Sequence, residues 1–187
     1  MIRDAAGSLY GVADYGTTGY GVIFKVDAGG QFSVLHTFTG GTGGAYPGGL
    51  TLDSNGNLYG TTSAGGAYNE GTIFKLDPTE DLTLLYSFTG ENDGAPPYDA
   101  KLLLDSAGNI YGANCGNCRE GGVGTVYKLD TNGQLNILFT FPAGKGAAGA
   151  WPDSGVVFDS AGNLYGTTAY GGKWGGGVVY KLTPSAQ

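Results

Sequence analysis

One ten-residue stretch recurs through the chain and limits what it can fold into. Asp159-Ser-Ala-Gly-Asn-Leu-Tyr-Gly-Thr-Thr168 reappears as Asp53-Ser-Asn-Gly-Asn-Leu-Tyr-Gly-Thr-Thr62 and as Asp105-Ser-Ala-Gly-Asn-Ile-Tyr-Gly-Ala-Asn114. A looser copy runs from Asp4 to Ala13. The leading aspartates are spaced at about fifty residues, the period of propellers and solenoids. In such arrays each unit is one small supersecondary element that buries its apolar side only against its neighbours.

Inside a unit the residues read as strands. In the second copy Gly49–Asp53, Asn57–Thr62, Gly71–Asp77 and Leu82–Phe88 are short runs of β-branched, aliphatic and aromatic residues. Ser-Asn-Gly and Pro-Thr-Glu-Asp clusters separate them, the composition of turns. The first copy offers Ser8–Ala13, Gly21–Asp27 and Phe32–Phe38, and lacks a first strand unless Met1-Ile2-Arg3 serves. The third offers Ala100–Asp105, Asn109–Asn114, Gly124–Asp130 and Leu135–Phe141. The fourth offers Gly155–Asp159, Asn163–Thr168 and Gly177–Thr183, without a last strand. No window keeps a helical period. Four antiparallel strands per repeat is the arithmetic of a propeller blade. The expectation is an all-β propeller forming a single domain over 1–187, with blades near 1–39, 47–90, 98–142 and 153–183, the first and last incomplete.

Composition agrees with an ordered β-protein. Glycine is abundant, 38 of 187 residues, but hydrophobic residues make up 41 % and aromatics 12 %, which a disordered chain would lack. Net charge is −7 with only nine Lys and Arg. That argues against nucleic acid and anionic membranes as partners. No run approaches a membrane-spanning length. Met1-Ile2-Arg3 leads straight into a repeat, the start expected of a piece of a longer chain. Cys115 and Cys118 flank Gly-Asn; with His36 the only histidine, a four-ligand zinc site is not expected. A tight-loop disulfide or two free thiols remain.

Two recurring positions read as structural. Gly11, Gly60, Gly112 and Gly166 fall inside second strands, implying a bulge or a close approach. The pairs Phe24-Lys25, Phe74-Lys75, Tyr127-Lys128 and Tyr180-Lys181 put ring and ammonium on opposite strand faces, the ring filling an inter-blade layer and the lysine meeting an acid or solvent.

The pattern G-N-L-Y-G-T-T, then G-T-[IV]-[FY]-K-L, then L-x-x-F-x-G resembles the GloVer-type tandem repeat. Its Asp-Ser-Ala-Gly-Asn-Leu-Tyr turn is similar to that of NHL-type propeller repeats. The resemblance covers Asp4 to Leu182. It implies a propeller-like array in large secreted or surface-anchored bacterial proteins, hence an extracellular or cell-surface location, and it brings no catalytic residues.

In a four-strand meander the short turns share one face and the long connections the other, where function is expected. Crossings repeat as Gly44-Ala-Tyr-Pro47, Gly94-Ala-Pro-Pro97 and Gly149-Ala-Trp-Pro152. Other long loops carry Tyr15, Tyr20, Tyr68, Asn69, Glu70, Arg119, Glu120, Tyr170, Lys173 and Trp174. Flat rings among polar groups suit sugars, so a small-molecule or glycan ligand is expected at Trp174, Tyr68, Asn69, Tyr170, Trp151 and Arg119. Tyr46 and Trp151 also read as staples between blades; Trp174, unique to its repeat, is the stronger ligand candidate. The alternative is a hydrolase or lyase acting on a glycoside or phosphoester. Its carboxylates would come from Glu70, Glu91, Asp93, Asp99, Glu120 and Asp153, either as an acid/base pair or around a divalent cation such as Ca²⁺. No resident cofactor or metal ligand set is otherwise expected. A Ser-His-Asp triad is disfavoured because His36 falls in an outer strand. Incomplete terminal blades invite a homo-oligomer, two chains completing one ring.

Overall fold

The computed structural model describes residues 1–91, 93–94, 101–115, 124–142, 149–152 and 154–183. Contacts divide the chain into two compact units, Met1–Thr89 and Gly90–Gln187. Among the described residues the structure is all strand and loop, apart from a 3-10 turn at Gly41–Gly43.

The first unit holds two blades. Blade 1 is an antiparallel meander of β1 (Ile2–Arg3), β2 (Leu9–Ala13), β3 (Val22–Val26) and β4 (Phe32–Thr37). Met1-Ile2-Arg3 therefore does supply the first strand, pairing Ile2 with Tyr10 and Arg3 with Leu9. Blade 2 comprises β5 (Ala45–Pro47), β6 (Thr51–Leu52), β7 (Leu58–Ala64), β8 (Thr72–Leu76) and β9 (Leu82–Ser87). Both β5 and β6 pair with β7: β6 lies within the expected first strand Gly49–Asp53, and the crossing contributes β5, a strand that alternation alone did not show. The second unit holds blade 3, with β10 (Leu103–Leu104), β11 (Ile110–Asn114), β12 (Thr125–Leu129) and β13 (Leu135–Thr140). Blade 4 has β14 (Val157–Phe158), β15 (Leu164–Thr167) and β16 (Val179–Leu182).

The recurring aspartate builds the turn between the first two strands. In blade 2 the Asp53 Oδ1 accepts the N–H groups of Asn55 and Asn57, at 2.9 and 2.8 Å. Its Oδ2 accepts the Asn57 amide at 2.7 Å and the Tyr59 hydroxyl at 3.4 Å. Asp105 and Asp159 repeat all four bonds. Burial works to raise Asp53 and Asp105, but the donors together outweigh it and both carboxyls sit below their ordinary range. At Asp159 the Asn163 side-chain amide dominates and holds the carboxyl at about 2.

The tyrosine links this turn to the lysine. Tyr10 faces Lys25, Tyr111 faces Lys128 and Tyr165 faces Lys181 across paired strands. The ammonium groups lie 5.5, 5.8 and 5.7 Å from those ring centres. In these three blades the lysine meets a tyrosine face, a contact worth about 0.5–1 kcal/mol at an exposed site, and in blade 2 the charge of Lys75 acts on Asp77.

The glycines inside the second strands mark close approach, not bulges. Gly60 pairs with Phe74, and a β-carbon on Gly60 would stand 2.6 Å from Phe74 Cζ and 3.1 Å from Leu50 Cδ2. Gly11, Gly112 and Gly166 lie in the same way under Phe24, Tyr127 and Tyr180. The register shifts fall one strand further out, between Ile23 and Phe24, Ile73 and Phe74, and Val126 and Tyr127. Inside each unit the second of the two blades sends such a ring to the first, Phe74 to Phe38 at 5.5 Å and Tyr180 to Phe141 at 5.1 Å. The core of the first unit joins Ile23 and Phe38 to Leu50, Leu58, Phe74 and Leu76; that of the second joins Ala113, Val126 and Phe141 to Val156 and Leu164.

Candidate functional site

The long connections between second and third strands are pinned at their bases by buried polar groups. In blade 2 the Thr62 Oγ1 accepts the Thr72 N–H at 3.1 Å and lies 2.9 Å from the Thr72 hydroxyl. In blade 3 the Asn114 Oδ1 accepts from the Thr125 N–H and hydroxyl, while its Nδ2 donates to the Asp93 carbonyl at 2.6 Å. In blade 4 the Thr168 Oγ1 accepts the Val178 N–H at 3.1 Å and donates to the Tyr170 carbonyl at 2.8 Å. A glycine of the incoming crossing rests on each bracket: Gly44 on Thr62, Gly94 on Asn114 and Gly149 on Thr168.

The loops of blades 2 and 4 share one backbone path. Gly71 N–H donates to the Gly65 carbonyl at 2.9 Å, and Gly177 N–H to the Gly171 carbonyl at 3.0 Å. The inner bonds, Asn69 to Gly66 and Gly175 to Gly172, also correspond. Tyr68 and Trp174 therefore occupy the same tip, 61 % and 86 % exposed. Trp174 thus has an aromatic counterpart in blade 2, though of another residue type. The equal spacing from Thr62 to Thr72 and from Thr168 to Val178, with paired glycines three residues in, carried that signal. Asn69 takes the left-handed conformation (φ 62°) where blade 4 has Gly175, and its Oδ1 accepts the Gly65 N–H at 3.1 Å. Its side chain thus closes the loop through the carbonyl end of the amide.

The crossings carry the other aromatics. Tyr46 and Trp151 both stand at positive φ, 57° and 60°, followed by prolines that pack on Gly21 and Gly124. The Trp151 ring meets Tyr170 edge-on at 4.7 Å, and Tyr46 lies 6.3 and 6.4 Å from Tyr15 and Tyr20. Trp151 and Tyr170, half-buried against each other, hold the crossing to its blade. The Lys173 ammonium sits 5.0 Å over the Trp174 ring, which otherwise faces solvent.

Of the six carboxylates, Glu70 lies on the blade 2 loop in the first unit, half-buried. Glu91 and Asp93 open the second unit, with Asp93 buried. Asp99, Glu120 and Asp153 lie outside the described residues, as do Arg119 and Cys118. Among the described residues no three His, Cys, Asp or Glu side chains come together as a metal site. Cys115 is disulfide-bonded. His36 packs edge-on against Phe38 at 4.8 Å, and burial lowers its pKa.

A repeat model described as the Gloeobacter/Verrucomicrobia repeat matches residues 1–187. The chain belongs to that family. No curated protein matches the Gloeobacter/Verrucomicrobia repeat chain. Among solved structures it is similar to a luciferin-regenerating enzyme, with a TM-score of 0.59 and 18 % identity over 97 % of this chain and 59 % of that one. It is similar to a protein described as a gluconolactonase, with a TM-score of 0.55 and 18 % identity over 97 % of this chain and 58 % of the other. A streptogramin B lyase aligns with a TM-score of 0.55 and 18 % identity over 98 % of this chain and 54 % of its own. At that identity the likeness establishes the β-propeller fold alone. The repeat chain spans little more than half the length of each of these structures.

Proposed function

We propose that this propeller module binds a ligand through the long-loop face of its blades, that the ligand is carbohydrate, and that the protein works outside the cell. The observation that carries the reading is the placing of Tyr68 and Trp174. Two large rings stand exposed at the same tip of two loops whose bases are locked by buried hydrogen bonds. The bonded bases limit the loop backbone's ordering cost on binding, and a Tyr or Trp side chain adds only two rotatable bonds to fix when a sugar face stacks on it. The Lys173 ammonium adds a donor for hydroxyl or acidic groups beside the indole. The disulfide at Cys115 fits an oxidising compartment.

The test is retention of the chain on a broad glycan array, compared with Trp174→Ala and Tyr68→Ala. Loss of one stacking contact of about 0.5–1.5 kcal/mol should weaken retention roughly 2- to 13-fold per substitution. If the wild-type chain retains no glycan, or if both variants bind as it does, the carbohydrate reading fails.

A further inference from the structure

Two connections of the first unit bring three tyrosines together. Tyr15 and Tyr20 come from the loop between β2 and β3, and Tyr46 from the crossing that leads into blade 2. The Tyr46 ring centre lies 6.3 Å from that of Tyr15 and 6.4 Å from that of Tyr20, with the ring planes turned by 68° and 50°. Tyr15 is 79 % exposed and Tyr20 41 %, while Tyr46 is half-buried. The three rings meet at the surface and not in the core. Blade 2 packs after blade 1 and leaves residues 17–20 exposed; blade 2 has blade 1 before it and keeps residues 67–69 exposed. The long-loop end of a blade thus stays open beside a packed neighbour.

Backbone bonds hold the cluster in place. The Tyr46 N–H donates to the Tyr20 carbonyl at 2.8 Å, and the Thr18 hydroxyl donates to the Phe38 carbonyl at 2.6 Å. The Tyr20 ring lies over Gly40, where a β-carbon would stand 2.9 Å from Tyr20 Cε1. Tyr46 keeps a left-handed backbone at φ 57°, and Pro47 behind it packs on Gly21. That conformation is costly for a bulky residue, and such positions gather at ligand clamps. The charge around the rings is of one sign. Arg3 lies against Gly7, Lys25 over Tyr10, and Lys75 acts on Asp77, so the basic side chains of this unit serve its short-turn end. Burial holds His36 toward its neutral form. The charged side chains on the long loops of the unit are Asp14, next to Tyr15, and Glu70.

We infer that Tyr15, Tyr20 and Tyr46 form an open aromatic cradle for a trimethylammonium group carried by a small cationic molecule such as choline. Ring faces attract a cation within about 6 Å of their centres, and quaternary ammonium groups are recognised by clustered rings in this way. With the ring centres at these spacings and the planes turned, one cation beside Tyr46 also stands within that reach of a flanking ring. The methyl groups pack on the rings, whereas a compact, strongly hydrated ammonium would give up its water to no acceptor there. Acidic loops favour a ligand with no anionic group of its own. This site is separate from Tyr68 and Trp174 and does not rest on the carbohydrate reading.

The experiment titrates the full chain, its tyrosine rings isotope-labelled, and follows their NMR resonances. The probes are choline, phosphocholine, and the neutral isostere of choline in which a tert-butyl group replaces trimethylammonium. Choline should shift the resonances of Tyr15, Tyr20 and Tyr46 saturably, with a Kd on the order of millimolar. Tyr15→Leu and Tyr20→Leu should each weaken it about 2- to 5-fold, the loss of one cation–π contact. The isostere keeps the shape without the charge and should bind about 5- to 30-fold more weakly, the loss of two such contacts. Phosphocholine, with its phosphate near the acidic loops, should also bind more weakly than choline. Far-UV circular dichroism checks that the variants stay folded, and Tyr15, the most exposed of the three, keeps the test open if Tyr20→Leu does not fold. The proposal is overturned if choline gives no saturable shift, or if the isostere or phosphocholine binds as tightly as choline. Folded variants that bind choline as the wild type does overturn it as well.

Discussion

Replacing Gly60 by alanine adds one methyl group to the middle of β7, and two opposing effects decide the outcome. Glycine in a strand interior is about 0.5–1 kcal/mol worse than alanine, and the Gly60 backbone does not need positive φ, so alanine would stabilise an open site. Here the new carbon would stand 2.6 Å from Phe74 Cζ and 3.1 Å from Leu50 Cδ2, both on fully or almost fully buried side chains. Overpacking a filled core costs about 1–3 kcal/mol. The crowding wins, leaving a net loss of about 1–2 kcal/mol, or roughly 2–8 °C in Tm for a domain of this size. Thermal unfolding followed by circular dichroism measures it, with Gly43→Ala as control, because a β-carbon there meets nothing within 4 Å. The double variant Gly60→Ala/Phe74→Leu should be more stable than the two single losses add up to, by about 1 kcal/mol, since the smaller side chain vacates the space. A Gly60→Ala protein at least as stable as wild type, or strict additivity in the cycle, would refute the ring-over-glycine argument in every blade.

Other expectations follow from single positions. Glu80 stands at φ 67° where the equivalent turns have Gly30 and Gly133, so Glu80→Gly should raise Tm by about 2–4 °C, from roughly 1 kcal/mol of relieved strain; a fall in Tm would contradict it. Asp53→Ala removes the acceptor of four hydrogen bonds and should cost about 1–3 kcal/mol in chemical unfolding, whereas Asp53→Asn, keeping one acceptor oxygen, should cost less. His36, the only histidine, has a pKa lowered by burial against Phe38. The folded state disfavours its protonation, so its share of stability is present above the ordinary histidine pKa and lost as pH falls through it. The turn aspartates, held low, do not titrate in that window. Stability should therefore drop modestly from neutral to mildly acidic pH, and His36→Phe should flatten the drop; an unchanged pH profile in the variant would rule out the assignment.

The period of the Asp-x-x-Gly-x-Leu-Tyr stretch was enough to place the blades, because its bonds are local. Every acceptor of Asp53 finds its donor within six residues, so sequence spacing and spatial contact coincide. Blade 1, expected to be incomplete unless Met1-Ile2-Arg3 served, has its first strand at Ile2–Arg3, because the turn at Asp4 folds that stretch back on Leu9 and Tyr10. The lysine partner was harder. Which group Lys25 meets depends on the β2–β3 register, and only that register puts Tyr10 under it. The strand at Ala45–Pro47 was hidden by Tyr46, whose positive φ interrupts alternation where the chain crosses between blades.

The site was legible in part, and the reason lies in the loops. Tyr68 and Trp174 share neither residue type nor neighbours, since Ala67-Tyr68-Asn69 and Lys173-Trp174-Gly175 have no identical position. Their equivalence rests on loop length and the paired glycines alone, and the hydrogen bonds that close both loops there make it plain. Asn69 shows the limit of reading polar groups as ligands. Its amide copies, by a side-chain bond to Gly65, a conformation that blade 4 obtains from Gly175. One blade uses a polar side chain for the turn and another does not, so Asn69 has a structural duty that its residue type alone did not reveal. The rings, free of that duty in both loops, are what remains to meet a partner.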